Sequence, residues 1–172
     1  QTCRALHVLQ TPAALHQSLH VRDRRKEARF FLNRALAAVS ERLGTALAGT
    51  VSGEARRVAD ADVVYTPTLI HNDLHNEHIL LADGDIAVID WGDVGFGDPD
   101  ADFLQLSLTS TPAFFESCLE AYGHPAPEGL RRKLDDLALL FWLMLIAYAP
   151  ELGSPDTEAF GWEGLGHWLS TR

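Results

Sequence analysis

The sequence predicts an α+β fold that is mainly α-helical, with one inserted β-hairpin. Three observations carry that reading. Apolar residues recur at three- and four-residue spacing, as in Ala28, Phe31, Leu32, Ala35, Leu36, Val39 and Leu43, the period of a helix with one buried face. Two short aliphatic runs, Ile79-Leu80-Leu81-Ala82 and Ile86-Ala87-Val88-Ile89, flank Asp83-Gly84 in a strand–turn–strand pattern. The 172 residues are 47% hydrophobic and 22% charged, which is enough chain and enough apolar surface for a packed domain.

The elements follow in order. Residues 1–10 read as the end of a helix stopped near Pro12. A helix over residues 22–43 ends at Gly44, a C-terminal stop. Its basic start (Arg22, Arg24, Arg25, Lys26 and Arg29) reads as a solvated face rather than a phosphate patch. Residues 44–62 are small and polar, a short helix and a loop. Val63 to Ile70 is apolar and β-branched. The hairpin then joins two acidic loops: one enters its first strand and the other leaves its second, so both are predicted at the same open end. Asp98 caps the next helix and Pro99 suits its first position. Helices over about 99–109, 112–122 and 127–149 follow, by the same periodicity. A Trp-rich C-terminal piece surrounds Trp162 and Trp168, where Gly161, Gly164 and Gly166 suggest an exposed, irregular setting.

Charge and composition narrow the function. The net charge of −10, from 24 acidic against 14 basic side chains, disfavours non-specific binding to nucleic acid or anionic membrane and suits a cationic small molecule. The longest apolar run, Leu137 to Ala149, is well short of the roughly 20 residues that span a bilayer. Cys3 and Cys118 form neither a zinc spacing nor a disulfide framework, which points to a reducing, cytoplasmic setting. The chain starts at Gln1 and its only methionine is Met144, so the expectation is a piece of a longer protein.

The chemistry concentrates in His71-Asn72-Asp73-Leu74-His75-Asn76-Glu77-His78 and Ile89-Asp90-Trp91-Gly92-Asp93. Asp73 closes an apolar segment, where a carboxylate can accept or orient the proton of an attacking hydroxyl. Asp90 ends a strand beside Gly92, a place for a Mg²⁺ ligand. His78, five residues after Asp73, can offer a neutral imidazole to the same metal. Phosphoryl transfer needs few protein groups beyond these, because positioning and charge neutralisation carry most of it. His75 and Glu77 read as solvent-facing, and Asp83 and Asp85 as turn residues around Gly84.

The pattern His71-x-Asp73-x-x-x-x-His78, the strand after it, and Ile89-Asp90-Trp91-Gly92-Asp93 through Gly97-Asp98-Pro99-x-x-Asp102-Phe103 resemble the aminoglycoside and macrolide phosphotransferases of the protein-kinase-like superfamily. Leu6-His7 resembles the helix that begins the family's C-terminal lobe. The resemblance implies that Asp73 is the catalytic aspartate and Asp90 the metal-binding one. It implies that His78 stands where the wider superfamily commonly has a metal-binding Asn, that His71 fixes the loop, and that Asp102 is a buried anchor for the catalytic-loop backbone. It makes residues 1–172 a kinase-like C-terminal lobe, catalytic and substrate-binding, with the N-terminal nucleotide-binding lobe absent. No G-x-G-x-x-G run occurs, and Gly92-x-x-Gly95-x-Gly97 follows the metal strand in the wrong order to cradle a phosphate, so no cofactor-binding residue is assigned.

The resulting expectation is a Mg²⁺-dependent O-phosphotransferase that moves the γ-phosphoryl group of ATP or GTP to a hydroxyl of an aminoglycoside-type molecule. The fragment by itself is expected to be inactive. Acidic residues between Glu116 and Glu163 are candidates for holding a polycation, and Trp162 and Trp168 for lining a pocket. The alternatives are a macrolide kinase, a metabolite kinase for a choline- or homoserine-like alcohol, a His/Asp metal-dependent hydrolase, or an inactive pseudokinase lobe. A face bared by the missing lobe would favour self-association.

Overall fold

A computed structural model describes residues 2–61, 65–83, 85–124 and 127–172. The Gly84 turn and the start of the apolar segment at Val63 lie outside them. The chain divides into two compact units, residues 1–22 with 64–134, and residues 23–63 with 135–172.

The first unit carries both acidic loops. It holds helices α1 (Thr2–His7) and α2 (Ala13–Ser18), strands β1 (His20–Val21), β2 (Thr68–Ile70), β3 (Ile79–Ala82), β4 (Asp85–Val88) and β5 (Gly95–Gly97), and helices α4 (Asp102–Thr109) and α5 (Pro112–Tyr122). β3 and β4 form the expected antiparallel hairpin, with Ile79 opposite Val88 and Ala82 opposite Asp85. The other strands make a three-stranded sheet in the order β1-β5-β2, β1 parallel and β2 antiparallel to β5. This sheet is an addition to the sequence reading. Its middle strand is Gly-Phe-Gly, and a Cβ at Gly95 would lie 2.8 Å from the His20 carbonyl oxygen. Close strand approach, not phosphate binding, accounts for that glycine. Phe96 and Ile70 are buried, as are Phe103, Leu106, Phe115 and Leu119 of the helices that follow.

Helix α5 matches its prediction because both ends are signalled. The Thr111 hydroxyl accepts from the Phe114 amide at 3.3 Å, Pro112 opens the first turn, and Gly123 leaves it at φ 72°. Asp98 caps as expected, accepting from the Asp100 amide at 3.1 Å, but Pro99–Ala101 is a 3₁₀ turn that leads into α4.

The second unit is helical: α3 (Arg24–Asp60), residues 135–152 of α6 (Pro127–Leu152), and α7 (Pro155–Ser170). Gly44 does break the helix, at φ 79° and ψ 166°, but α3 resumes and continues to Asp60. Residues 45–60 are therefore not a loop. Ala48, Val51, Ser52, Ala55, Val58 and Ala59 keep the helical period with small side chains, and all are buried. Of the basic start, Lys26 and Arg29 are solvated and pair with Asp23 and Asp60, whereas Arg24 is half-buried, 3.7 Å from Asp136. Trp162 and Trp168 correct a second expectation: both are buried in the regular helix α7. Gly164 is small because the Trp142 ring lies against its backbone, and Gly161 because Leu145 and Ile146 do, so these two glycines mark tight packing rather than irregularity; Gly166 faces open space within the same regular helix. Among the described residues no helix is long and apolar enough to cross a membrane.

Candidate active site

Every group of the candidate site lies in the first unit. Strand β2 delivers the chain to His71, which is fully buried, and Asn72 turns it at φ 67°, a left-handed conformation that Asn tolerates better than most residues. The turn is held from below by Asp102, in the first turn of α4. Its carboxylate accepts the His71 amide at 3.0 Å and the Asn72 amide at 2.7 Å. A third partner, His7 Nε2 on α1, lies 3.1 Å away, and His7 Nδ1 in turn meets the Tyr122 hydroxyl at 2.9 Å. Asp102 is 1% exposed, so these partners replace its water. It thus occupies the place of an anchor under the loop backbone.

The His71 ring ties the two acidic loops together. Its Nδ1 accepts the Asp73 amide at 3.3 Å, which leaves the proton on Nε2, and Nε2 donates to the Ile89 carbonyl at 2.9 Å. Trp91 packs against the ring at a centroid distance of 4.6 Å. Both nitrogens are thereby used, and His71 has no lone pair left for a metal. That weighs against a His/Asp hydrolase centre that counts His71 among its ligands.

His78 stands between the two carboxylates. It belongs to a 3₁₀ turn, Asn76–His78, at the entry to β3. Its Nδ1 donates to the Asp73 carbonyl at 2.8 Å and lies 3.6 Å from Asp73 Oδ2, while its Nε2 lies 3.6 Å from Asp90 Oδ2. The hairpin therefore does bring Asp73, His78 and Asp90 to one place. Asp90 leaves β4 at φ 58° and ψ 67°, and its side chain is 63% exposed against 32% for Asp73. Two carboxylates and one imidazole nitrogen with a free lone pair are a donor set that fits Mg²⁺ on its oxygen side, with the imidazole the softer ligand.

Two residues were not singled out from the sequence. The Gln105 side-chain amide donates to Asp73 Oδ1. Gln105 follows the anchor Asp102 by three residues on the same helix, so both point at one loop, and that spacing was the available signal. His75 is not solvent-facing as expected. Its side chain is 17% exposed, its ring lies tilted against that of His78 at a centroid distance of 3.8 Å, and its Nε2 is 4.0 Å from Asp73 Oδ2. Glu77 is exposed, as read.

Several acids proposed for a polycation are already neutralised inside their own units. Glu116 pairs with Arg131, Asp135 with Arg172, Asp136 with Arg57, and Glu151 with Arg34. A second, part-buried cluster lies at the start of the 99–101 turn. Lys133 Nζ donates to Asp98 Oδ1 and to Asp100 Oδ2, each at 2.6 Å, and His124 Nε2 lies 3.0 Å from Asp100. Burial pushes the Asp100 carboxyl up, but the Lys133 and His124 contacts outweigh it and hold it below the ordinary value.

The fold is shared with known enzymes. The chain is 23% identical to the protein in the gentamicin complex of APH(2")-IIa, with a TM-score of 0.73 over 99% of this chain and 59% of that one. The GDP and kanamycin complex of APH(2")-IIia gives 20% identity and a TM-score of 0.73, covering 99% and 60%. Macrolide 2'-phosphotransferase MphH from Brachybacterium faecium gives 25% identity and a TM-score of 0.63, covering 95% and 56%. The chain thus spans about three fifths of the length of these structures. No curated protein matches it. The profile of the phosphotransferase enzyme family (APH) matches residues 1–135, which include every group described above for the first unit's site. The fold is that of the kinase-like C-terminal part of these enzymes, and the chain belongs to the phosphotransferase enzyme family.

Proposed function

We propose that residues 1–172 are the C-terminal, catalytic and substrate-binding lobe of a Mg²⁺-dependent small-molecule O-phosphotransferase. The nucleotide-binding half lies outside them, a division supported by coverage of only 59% of the APH(2")-IIa chain. The observation that carries the reading is His78 standing 3.6 Å from a carboxylate oxygen of Asp73 on one side and of Asp90 on the other.

In this reading Asp73 Oδ2 takes the proton of the substrate hydroxyl as its oxygen attacks the γ-phosphorus of ATP or GTP and the nucleoside diphosphate leaves. Gln105 holds the other carboxylate oxygen, so the acceptor lone pair points one way. His78 Nε2 and Asp90 would hold Mg²⁺, which supplies charge neutralisation at the phosphates. The substrate is an aminoglycoside-type polycation, which suits the net charge of −10 and the gentamicin and kanamycin named for the similar structures. A macrolide is the second reading, favoured by MphH at 25% identity. The exposed apolar side chains of the hairpin lie on both of its faces, Leu81 and Ile86 on one and Leu80 on the other; the nucleotide-binding half covers this apolar surface, and the piece alone self-associates through it.

The test uses a protein that joins this lobe to its nucleotide-binding half, assayed with kanamycin and erythromycin, ATP and GTP, with and without Mg²⁺. Asp73→Asn is expected to cut turnover by about a hundredfold or more, with little change in nucleotide affinity. Undiminished turnover in that variant, or phosphate ester hydrolysis that needs no nucleotide, overturns the reading.

A further inference from the structure

We infer that the catalytic loop also builds a site for a borderline-soft divalent ion of the Zn²⁺ class, formed by Asp73, His75 and His78. Occupation of this site takes the Asp73 carboxylate away from the substrate. The inference begins with local geometry. The His78 amide donates to the His75 carbonyl at 3.1 Å, closing one 3₁₀ turn. A 3₁₀ turn has three residues per turn, so side chains at i and i+3 eclipse. That superposition, and not a helix face, brings the two imidazole centroids to 3.8 Å with the rings inclined at 44°. The Asp73 carboxylate approaches both rings, and one ligand atom from each of the three residues falls within 4.8 Å of the others.

The donor set discriminates among ions. Two imidazoles and one carboxylate, with a position open to solvent, match what Zn²⁺ takes in an open site. Mg²⁺ prefers an all-oxygen octahedron and keeps its waters, so it gains little from a paired imidazole. Nδ1 is the His78 nitrogen that faces Asp73 Oδ2, at 3.6 Å; it gives its lone pair to the ion in place of its 2.8 Å bond to the Asp73 carbonyl, and the ring proton moves to Nε2, 3.6 Å from Asp90 Oδ2, the carboxylate–histidine pairing that orients a ligating imidazole. The three side chains are partly sheltered, between 15% and 32% exposed. This site and the Mg²⁺ pair described above share His78, so the two ions exclude one another there.

Metal binding rests on the geometry alone, and the inhibition it causes rests on the phosphotransferase reading. The experiment separates them. Co²⁺ titrated into the metal-free protein is expected to give the visible absorption of a low-coordinate N/O site at one equivalent, and Zn²⁺ is expected to abolish it. A large excess of Mg²⁺ should leave the spectrum in place. His75→Ala and Asp73→Asn should each weaken Zn²⁺ by roughly tenfold or more. His167→Ala, at an exposed histidine on α7, should not. Circular dichroism of each variant checks that it is folded. Absence of a saturable Co²⁺ spectrum, or equal weakening by His167→Ala, overturns the site. In the turnover assay Zn²⁺ should inhibit and His75→Ala should relieve the inhibition. Inhibition that persists in His75→Ala overturns the inhibitory role. Absence of any turnover before Zn²⁺ is added sinks the phosphotransferase reading and leaves the binding result standing.

Discussion

The two acidic loops sit a few ångströms apart yet are held in opposite ways. The His71–Asp73 turn is fastened at both backbone and side chain: Asp102 takes two of its amides, the His71 ring takes a third, and Gln105 takes the Asp73 carboxylate. Asp90 is placed by its backbone. The left-handed turn at φ 58° sets where it stands, the Ile89 carbonyl before it is bonded to His71, and the side chain remains 63% exposed. The difference fits two tasks. A group that receives a proton must be aimed before the substrate arrives, because misplacement is costly in rate. A group that binds an exchangeable ion must stay open to water.

Breaking the fastened loop at its anchor should have the largest effect. Asp102→Ala leaves two loop amides and the His7 nitrogen without a partner in a buried place. The expected loss is about 3 to 5 kcal/mol, as for removing one member of a buried charged network. Urea unfolding followed by circular dichroism measures it. A loss under 1 kcal/mol, on the scale of a surface substitution, would mean that the loop is not held by this carboxylate.

Gln105→Ala tests the fastening at the side chain without disturbing the fold. It frees one oxygen of Asp73, and turnover is expected to fall roughly tenfold, about 1.4 kcal/mol of barrier, while substrate affinity changes little. Restoration by Gln105→Asn is not expected, since the shorter side chain falls a methylene short. An unchanged kcat would mean that Asp73 is aimed without Gln105.

The open loop makes the reverse prediction. Asp90 carries a left-handed backbone at a cost of roughly 1 kcal/mol, which glycine does not bear. Asp90→Gly should therefore leave thermal stability equal or raise it by up to about 1 kcal/mol, while abolishing the turnover that Mg²⁺ supports. Calorimetry and a Mg²⁺ titration read the two effects. A clear loss of stability would show that the Asp90 side chain is fastened after all.

The contrast also marks what could be read from the sequence. The hairpin was legible because its runs are local and aliphatic, and α5 because Thr111, Pro112 and Gly123 signal its ends. The sheet β1-β5-β2 was not, since its strands are two or three residues long and pair across long stretches of chain. The long continuation of α3 was hidden because its buried face is built from Ala, Val and Ser rather than large apolar residues. Asp73, His78 and Asp90 stood out by their spacing around the hairpin. Gln105 and His75 did not, because one acts from a neighbouring helix and the other through a 3₁₀ turn. Gly161 and Gly164 did not mark an irregular segment, since small size permits close packing as readily as irregularity.

The smallest effect comes from α1, beside the anchor. Burial, helped by the negative charge of Asp102, pushes the Cys3 thiol up to about 11. An acid whose folded value is raised stabilises the protein fully while it is protonated in both states. The unfolded thiol ionises first as pH rises, so this contribution declines above the ordinary thiol range and is gone once pH passes about 11. Unfolding midpoints between neutral and strongly alkaline pH should therefore fall, and Cys3→Ala should flatten part of the fall. Cys118, also raised by burial, contributes its own share in the same direction, so Cys118→Ala is the matched control. Because Cys3 neighbours Asp102 and not Asp90, the anchored turn should lose amide protection from hydrogen exchange before the Asp90 loop changes. Equal loss at both loops would show that the anchor does not set the stability of the first turn alone.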